Sequence, residues 1–529
     1  MRYHERSKHH FGRYARGPGR LDWANQPDPF RRYEGAALTR LPLLGAGEAP
    51  RSPAYDSLYG GAVPGAPLTL ASLSRLLEYA LALSAWKQAN GTRWALRANP
   101  SSGNLHPTEG YVLIGAIAEC PPELFARLTR GFAADAFLVG LSSVYWREAW
   151  KYGERAFRYC QHDAGHAIGS LRIAAATLGW SAVVLDGVAD ETVETLLGLD
   201  RSADFEGAER ESAELVMAIL PRAGGGGALP LHLEPQAVQA LARQRWSGRA
   251  NRLSRDEPVP WAIIDQVSAA SRRPDSERRA LDLARDREET PDVGGGPSAA
   301  QIIRGRRSLL ACDGKTSIPA ARFYRMLERV LPRAERPVLQ RPMPFDAMPW
   351  QPAIHFGLFV HRVDGLDPGL YWLARDPGKV QALRSSLRAE FLWQAPPGCP
   401  AELPLYLLER GDARPVATRV SCHQAIAGDG AFSLGMIAEY QASLVANGPW
   451  FYRRLFWEAG AIGQVLYLEA EAAGVRSTGI GCFFDDPVHQ CFGFRDLAFQ
   501  SLYHFTVGGY VDDPRLTTLP AYGAAAVSA

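Results

Sequence analysis

The sequence predicts a mixed helix-and-strand fold, built as two related halves within one chain. Three observations carry that reading. The chain has 529 residues, too many for one ordinary core, because domains usually hold about 100–200 residues. A glycine-rich, charged stretch separates two regions of globular composition. Finally, residues 155–198 align without a gap on residues 450–493, and the matches respect structure. Identities fall at Arg158/Arg453, Ala164/Ala459, Gly165/Gly460, Leu171/Leu466, Ala175/Ala470, Gly179/Gly474, Asp190/Asp485, Val193/Val488 and Gly198/Gly493.

Taken in order, residues 1–54 form a basic, aromatic extension that includes Arg13, Arg16, Arg20, Trp23, Arg31 and Arg32. Such an arm is expected to wrap a domain through stacking and salt bridges. Domain one is placed at 55–222. It opens with an amphipathic helix at 68–77, then a polar loop at 97–107 and a strand at 109–114. A long helix at 163–178 ends at Gly179, a residue suited to a left-handed C-cap. After a short strand, Asp190-Glu191 opens another helix, where acids favour the positive end of the dipole.

Residues 223–297 form a linker that opens with Gly224–Gly227 and closes with Gly294–Gly296. Its stretch 275–289 is highly charged and is expected to be a solvated helix. The patch 246–261, flanked by tryptophans, is expected to dock on a domain. Domain two spans 298–516, and 517–529 is a tail. Domain two repeats the order: helix 318–327, loop 345–349, strand 353–360, long helix 458–473, Gly474, then Asp485-Asp486. The long helix of domain one keeps a face of small residues, including Ala164, Gly165 and Ala175. Two readings stay open: tight packing within each domain, or packing of the two copies on each other across a pseudo-twofold axis.

Composition narrows the function classes. Hydrophobic residues are 47% and charged residues 22%, as in ordinary globular proteins. The balance of 58 Lys+Arg against 56 Asp+Glu gives no ground for a nucleic-acid or membrane-surface partner. No apolar run approaches the ~18–20 residues of a membrane span. Residues 1–20 are basic and polar, without the apolar segment of a secretory signal. Seven cysteines contain no C-x-x-C pair, so neither a zinc site nor a disulfide framework has local support. A cytoplasmic protein with reduced thiols is expected.

Two half-sites complement each other. Domain two carries Arg306-Arg307-Ser308 ahead of its first helix. Two guanidinium groups and a hydroxyl make a phosphate cradle, because Arg binds phosphate through paired, charge-assisted hydrogen bonds. Domain one has Asp56 there, which would repel phosphate. It carries instead the loop Pro100-Ser101-Ser102-Gly103-Asn104, rich in hydroxyl and amide groups, which domain two lacks at 345–349. No Ser-His-Asp, metal-ligand or Gly-x-Gly-x-x-Gly spacing is present, and His106 and His166 read as satisfied core or cap residues.

That loop, the Arg-Arg-Ser triplet and the segment Gly479-Ile480-Gly481-Cys482 together resemble the FMN-binding motifs of the nitroreductase superfamily. Trp150-Lys151-Tyr152-Gly153-Glu154-Arg155, with Asp163 to His166 and the opening Tyr3 to Lys8, resembles its SagB-type, azoline dehydrogenase-like branch. The resemblance implies an α+β fold: two tandem α/β sandwiches in an intramolecular pseudo-dimer, a monomeric counterpart of a flavin-sharing homodimer. It implies one FMN. Arg306, Arg307 and Ser308, with Arg515 as a further contact, hold its phosphate and ribityl chain. Ser101, Ser102 and Asn104 bond the ring or ribityl edge, and backbone N–H groups at Gly479, Ile480 and Gly481 face the ring. Lys151 and Tyr152 match a Lys-Tyr pair used for proton removal. The substrate expected is a heterocycle on a peptide or small molecule. An NAD(P)H-dependent nitro or quinone reductase and a flavin-free scaffold stand as alternatives.

Overall fold

The computed structural model describes residues 1–45, 47–60, 63–115, 121–221, 227–282 and 295–523. The first half opens with α1 (Leu70–Ala80), capped by Thr69, whose hydroxyl accepts the Ser72 N–H at 3.1 Å. A hairpin follows, β1 (Leu83–Ala89) and β2 (Thr92–Arg97). Its turn residues Asn90 and Gly91 have φ of 48° and 77°, the left-handed pair that a two-residue turn between twisted strands requires. Next come β3 (Thr108–Leu113), β4 (Phe137–Ser143), α2 (Tyr145–Tyr152), α3 (Ala156–Ala176), β5 (Ser181–Val184), α4 (Asp190–Leu197) and β6 (Ser212–Leu220). These strands form an antiparallel sheet in the order β3-β4-β6-β5.

The second half contains α5 (Ala299–Gly305), α6 (Ala320–Arg329), β7 (Ile354–Val360), β8 (Gly369–Leu373), β9 (Leu405–Arg410) and β10 (Phe432–Glu439). It continues with α7 (Tyr440–Asn447), α8 (Phe451–Ala472), β11 (Arg476–Ile480), α9 (Asp485–Phe492) and β12 (Phe499–Gly508). Its sheet runs β9-β8-β7-β10-β12-β11. Without the added edge pair β9-β8, this is the order of the first sheet. Even the irregularities correspond. The β4·β6 ladder shifts register at Leu141/Ser142 and the β10·β12 ladder at Met436/Ile437, the same step in the repeat. A last strand, β13 (Thr517–Pro520), crosses back and pairs with β1 of the first half.

The small-residue face resolves in favour of packing between the copies. Helices α3 and α8 cross at Gly165 and Gly460, where an added Cβ on Gly165 would sit 2.9 Å from the Gly460 Cα. Charges exchange symmetrically about this crossing. Arg158 of the first half donates to Asp485 of the second at 2.6 Å, and Arg453 of the second donates to Asp190 of the first. Each residue is the repeat partner of its counterpart, as an isologous interface demands. The chain is therefore two α/β units joined as an intramolecular pseudo-dimer, with one apolar core continuous through both.

The extension lies across both halves. Tyr3 and His4 are buried, Lys8 pairs with Asp486 at 2.9 Å, and Arg31 pairs with Glu211 at 3.0 Å. Trp246 packs on Gly198, and Arg16 lies over Trp261. The charged stretch departs from its expected helix. Residues 275–279 are irregular, and Ala280–Asp282 pair antiparallel with Ala228–Pro230. A backbone partner here overrides helical propensity; residues 283–289 lie outside the described residues. No helix among the described residues is long and apolar enough to cross a membrane.

Candidate functional site

The loop before β3 is held in a strained shape. Gly103, Asn104 and His106 have φ of 61°, 57° and 52°. Two of these are not glycine, and such conformations persist only when the surroundings over-determine them. Here the His106 N–H donates to Ser101 Oγ at 2.8 Å, and Arg147 donates to the His106 carbonyl at 2.7 Å. Ser102 donates to Asp163 of α3 through its N–H (3.2 Å) and its hydroxyl (3.3 Å). At the repeat-equivalent position of α8, Glu458 takes the Ala353 N–H at 2.9 Å. The same device thus anchors the segment ahead of the first sheet strand in each half.

Lys151 and Tyr152 end α2 against this loop. A Cβ on Gly103 would meet the Tyr152 hydroxyl at 2.6 Å and Lys151 Nζ at 3.0 Å. Burial, followed by the nearby Glu148 carboxyl, pushes Tyr152 well above an ordinary phenol. It therefore stays protonated, suited to donating a hydrogen bond rather than removing a proton. Glu148 is buried with both carboxyl oxygens unpartnered, and burial pushes it well above the usual carboxyl range.

Burial raises Asp163 to about 7 despite its bonds from Ser101 and Ser102. A carboxyl that titrates higher folded than unfolded keeps its proton in the folded state between about pH 4 and 7, so stability falls as pH rises through that window. Asp163→Asn is expected to make this fall shallower in urea unfolding from pH 4 to 8. Glu148 and Glu214, also raised by burial, retain the rest. An unchanged slope would mean that Asp163 titrates normally.

A cavity of about 920 Å³ lies between the loop and the second half. Ser101, Asn104 and Lys151 line it from the first half, and Arg306, Arg307 and Ser308 from the second. Three cations of the hairpin, Lys87, Arg93 and Arg97, and Arg476 of β11 complete a strongly positive wall. Its two carboxylates are already engaged, Asp512 by Arg476 at 2.8 Å and Asp513 by Arg515 at 2.7 Å. Arg306 is 5% exposed, its Nε has no partner, and its Nη2 reaches only the Arg97 carbonyl at 2.8 Å. Arg307 donates to the carbonyls of Arg304 and Arg306. Burial holds Arg307 below its ordinary value against the opposing charge of Glu471, and burial followed by Arg307 and Arg476 does the same to Lys87. Glu471 is the carboxylate near both Arg306 and Arg307, and a bound anion would relieve the crowding of the guanidinium groups further.

Six of the twelve residues singled out in the sequence line this cavity. The others lie elsewhere. Ser102 is committed to Asp163, and Tyr152 sits behind Lys151. Gly479, Ile480 and Gly481 lie in and just after β11, off the cavity wall. The Gly479 N–H donates to the Tyr467 hydroxyl at 3.0 Å, Tyr503 covers Gly479, and the Tyr159 ring covers Gly481. Arg515 points to solvent, 80% exposed, on Asp513. The hairpin cations were missed, although Asn90-Gly91 between alternating residues is a hairpin signal. Arg476 has no local signal, because it reaches the site only through the sheet.

The equivalent place on the other side is smaller and occupied by protein. Ala446 and Asn447, the repeat partners of Lys151 and Tyr152, line a cavity of about 520 Å³ with Pro349 and Trp350. Arg273 lies 3.6 Å over Trp450, and Arg454 donates to Asp186 at 2.9 Å. In the loop 345–349, Asp346 is buried against Arg172 at 2.7 Å. Arg341 also lines this cavity, buried, with Nη1 on the Met348 and Trp350 carbonyls and Nε without a partner.

Residues 126–208 match the Nitroreductase family model. Among solved structures, the chain is similar to the putative nitroreductases of Anabaena variabilis and Ralstonia eutropha. The first has a TM-score of 0.63 at 19% identity, covering 96% of this chain and 99% of that one. The second has a TM-score of 0.28 at 15% identity, covering 42% and 88%. The Escherichia coli microcin synthetase McbBCD complex gives 0.28 at 14% identity, covering 49% and 84%. The Anabaena structure shows that the whole two-part architecture has a precedent. No curated protein matches the sequence.

Proposed function

We propose that the chain is an FMN-dependent oxidoreductase with a single flavin site assembled between its halves, acting on a heterocycle carried by a peptide or small molecule. One observation carries the reading. Two motifs about two hundred residues apart in sequence, Ser101–Asn104 and Arg306–Ser308, face one cavity, and Arg306 there is buried with its Nε unpartnered. The volume is ample for a dinucleotide-sized or smaller ligand. The nitroreductase-family match over 126–208 supports a flavin in preference to another phosphate-bearing ligand.

The unpartnered Arg306 Nε and the carbonyl-bound Arg307 fit a phosphate; the covered Gly479–Gly481 backbone fits a ring only if Tyr503 and Tyr159 withdraw. FMN, when bound, supplies hydride acceptance. The chain supplies the rest. Arg306 and Arg307 hold the phosphate, Ser308, Ser101 and Asn104 offer hydrogen bonds, Lys151 at the wall takes the substrate proton, and Tyr152 remains a protonated phenol behind it. The second cavity is smaller, and the loop at 345–349 lacks the Ser-Ser-x-Asn run, which supports one flavin per chain.

FMN titration of purified protein is expected to saturate at about one equivalent. Arg306→Ala and Arg307→Ala should each weaken it about 10–100-fold, since a hydrogen bond to a charged group contributes about 1.5–3 kcal/mol. Lys151→Ala should keep the flavin and lose turnover. Two flavins per chain would overturn the single site, and no flavin would overturn the enzyme.

A further inference from the structure

Cys482 follows the Gly479–Gly481 segment, and Cys422 follows the helix Arg414–Val420. Both are free and partly exposed, and their side chains lie beside each other. Two contacts stitch their backbones together beside the pair. The Phe484 N–H donates to the Val420 carbonyl at 2.8 Å, and Gln424 donates to the Cys482 carbonyl at 2.9 Å. Cys422 and His423 have φ of 54° and 60°, so the first thiol sits on a constrained turn.

The second thiol has a directed environment. The His9 ring lies beside Cys482. Its Nδ1 accepts the Ala15 N–H at 2.9 Å, so a neutral His9 carries its proton on Nε2, the nitrogen left to donate to sulfur. Arg155 donates to the Gly481 carbonyl at 3.0 and 3.1 Å, which brings a guanidinium beside the thiol. Phe11 and Tyr14 of the extension pack on Phe484 nearby, at 4.8 and 5.6 Å between ring centroids. The adjoining Cys422, with His9 and Arg155 alongside, draws Cys482 below an ordinary thiol, whereas Cys422 is raised.

We infer that Cys422 and Cys482 form a redox dithiol that hydrogen peroxide closes to a disulfide, with Cys482 as the attacking sulfur and Cys422 as the resolving one. The Cys482 thiolate attacks one peroxide oxygen. The O–O bond breaks, the departing oxygen leaves as water after taking a proton, and a sulfenic acid remains. The Cys422 thiol then attacks the Cys482 sulfur, the S–O bond breaks, and a second water leaves. Two thiols lose two electrons, and the peroxide gains them. The product pins the Cys422 turn to the segment that follows β11. The inference stands on the extension, the second half and Arg155 of the first half, and does not depend on flavin binding.

The test uses the full-length wild-type chain, reduced, freed of reductant, treated with hydrogen peroxide, alkylated while folded and digested for peptide mass mapping. The expected product is a peptide pair joined through Cys422 and Cys482. Cys482 is expected to react about ten-fold or more faster than Cys160 or Cys491, whose thiols burial raises. In Cys422→Ser protein, dimedone is expected to trap a sulfenic acid on Cys482. Peroxide oxidation of Cys482 no faster than of Cys160 and Cys491, or a wild type that yields no Cys422–Cys482 pair, overturns the inference.

Discussion

Asp485→Asn is expected to cost about 3–5 kcal/mol of unfolding free energy, the range for removing one partner of a buried ion pair. The Asp485 side chain is fully buried and accepts from Arg155 at 3.1 Å, from Arg158 at 2.6 Å and from the His9 N–H at 2.9 Å. Neutralising it leaves two buried guanidinium groups facing an amide, each having been desolvated to meet a charge. Burial alone would push Asp485 up, but Arg155 and Arg158 hold it well below the usual carboxylate range. Its folded value lies below its unfolded one. The contribution is therefore present above about pH 4 and is lost as pH falls below it. The pseudo-symmetric Asp190→Asn is the internal comparison. Its partner Arg453 keeps Glu214 at 3.4 Å, so the loss should be smaller. Urea unfolding at pH 7 measures both. A loss under about 1 kcal/mol for Asp485→Asn, the scale of an exposed pair, would mean that the pair does not secure the joint between halves.

The same pair marks how far the sequence could be read. Arg158/Arg453 and Asp190/Asp485 stand out in the alignment only as identities. That they pair across the halves becomes visible only once the two helices cross. The repeated strand order was accessible for a related reason. Strand 353–360, placed by its match to the strand of the first half, is found as Ile354–Val360, a strand buried on both faces and apolar except for His355 and Gly357. The glycine stops at 179 and 474 were legible because both adopt φ near 70°.

What escaped depends on long-range pairing. The edge strands β8 and β9 have no counterpart in the first half, so the repeat could not point to them. The cavity wall draws on the β1–β2 hairpin, whose place is set by β13 from the far end of the chain. The Gly479–Gly481 segment was read for its freedom to approach a ligand. The structure uses that freedom to admit the rings of Tyr503 and Tyr159. Small residues mark a close approach, but not which group makes it.

Gly460→Val is expected to be the most damaging single change at the helix crossing. A Cβ there would sit 2.8 Å from the Gly165 Cα and 2.8 Å from the His166 N, and would overlap the His162 carbonyl. All three are backbone atoms of a helix buried throughout its length, so no rotamer change relieves them. Overpacking in a core costs about 1–3 kcal/mol when side chains can move, and more when they cannot. Here the two helices must separate, which lengthens the reciprocal Arg–Asp pairs on both sides of the crossing. It also draws Ser101–Asn104 away from Arg306–Ser308, because one motif is carried by each half. A loss above about 3 kcal/mol in urea unfolding is expected, together with weaker FMN retention in any folded fraction. Gly463→Ala is the control one turn along. Its added Cβ would meet the His166 ring at 2.7 Å and the Tyr503 ring at 3.2 Å, side chains that can shift. If Gly460→Val proved no worse than Gly463→Ala, the crossing would be compliant, and the alignment of the two half-sites would have to be maintained by the extension and β13 instead.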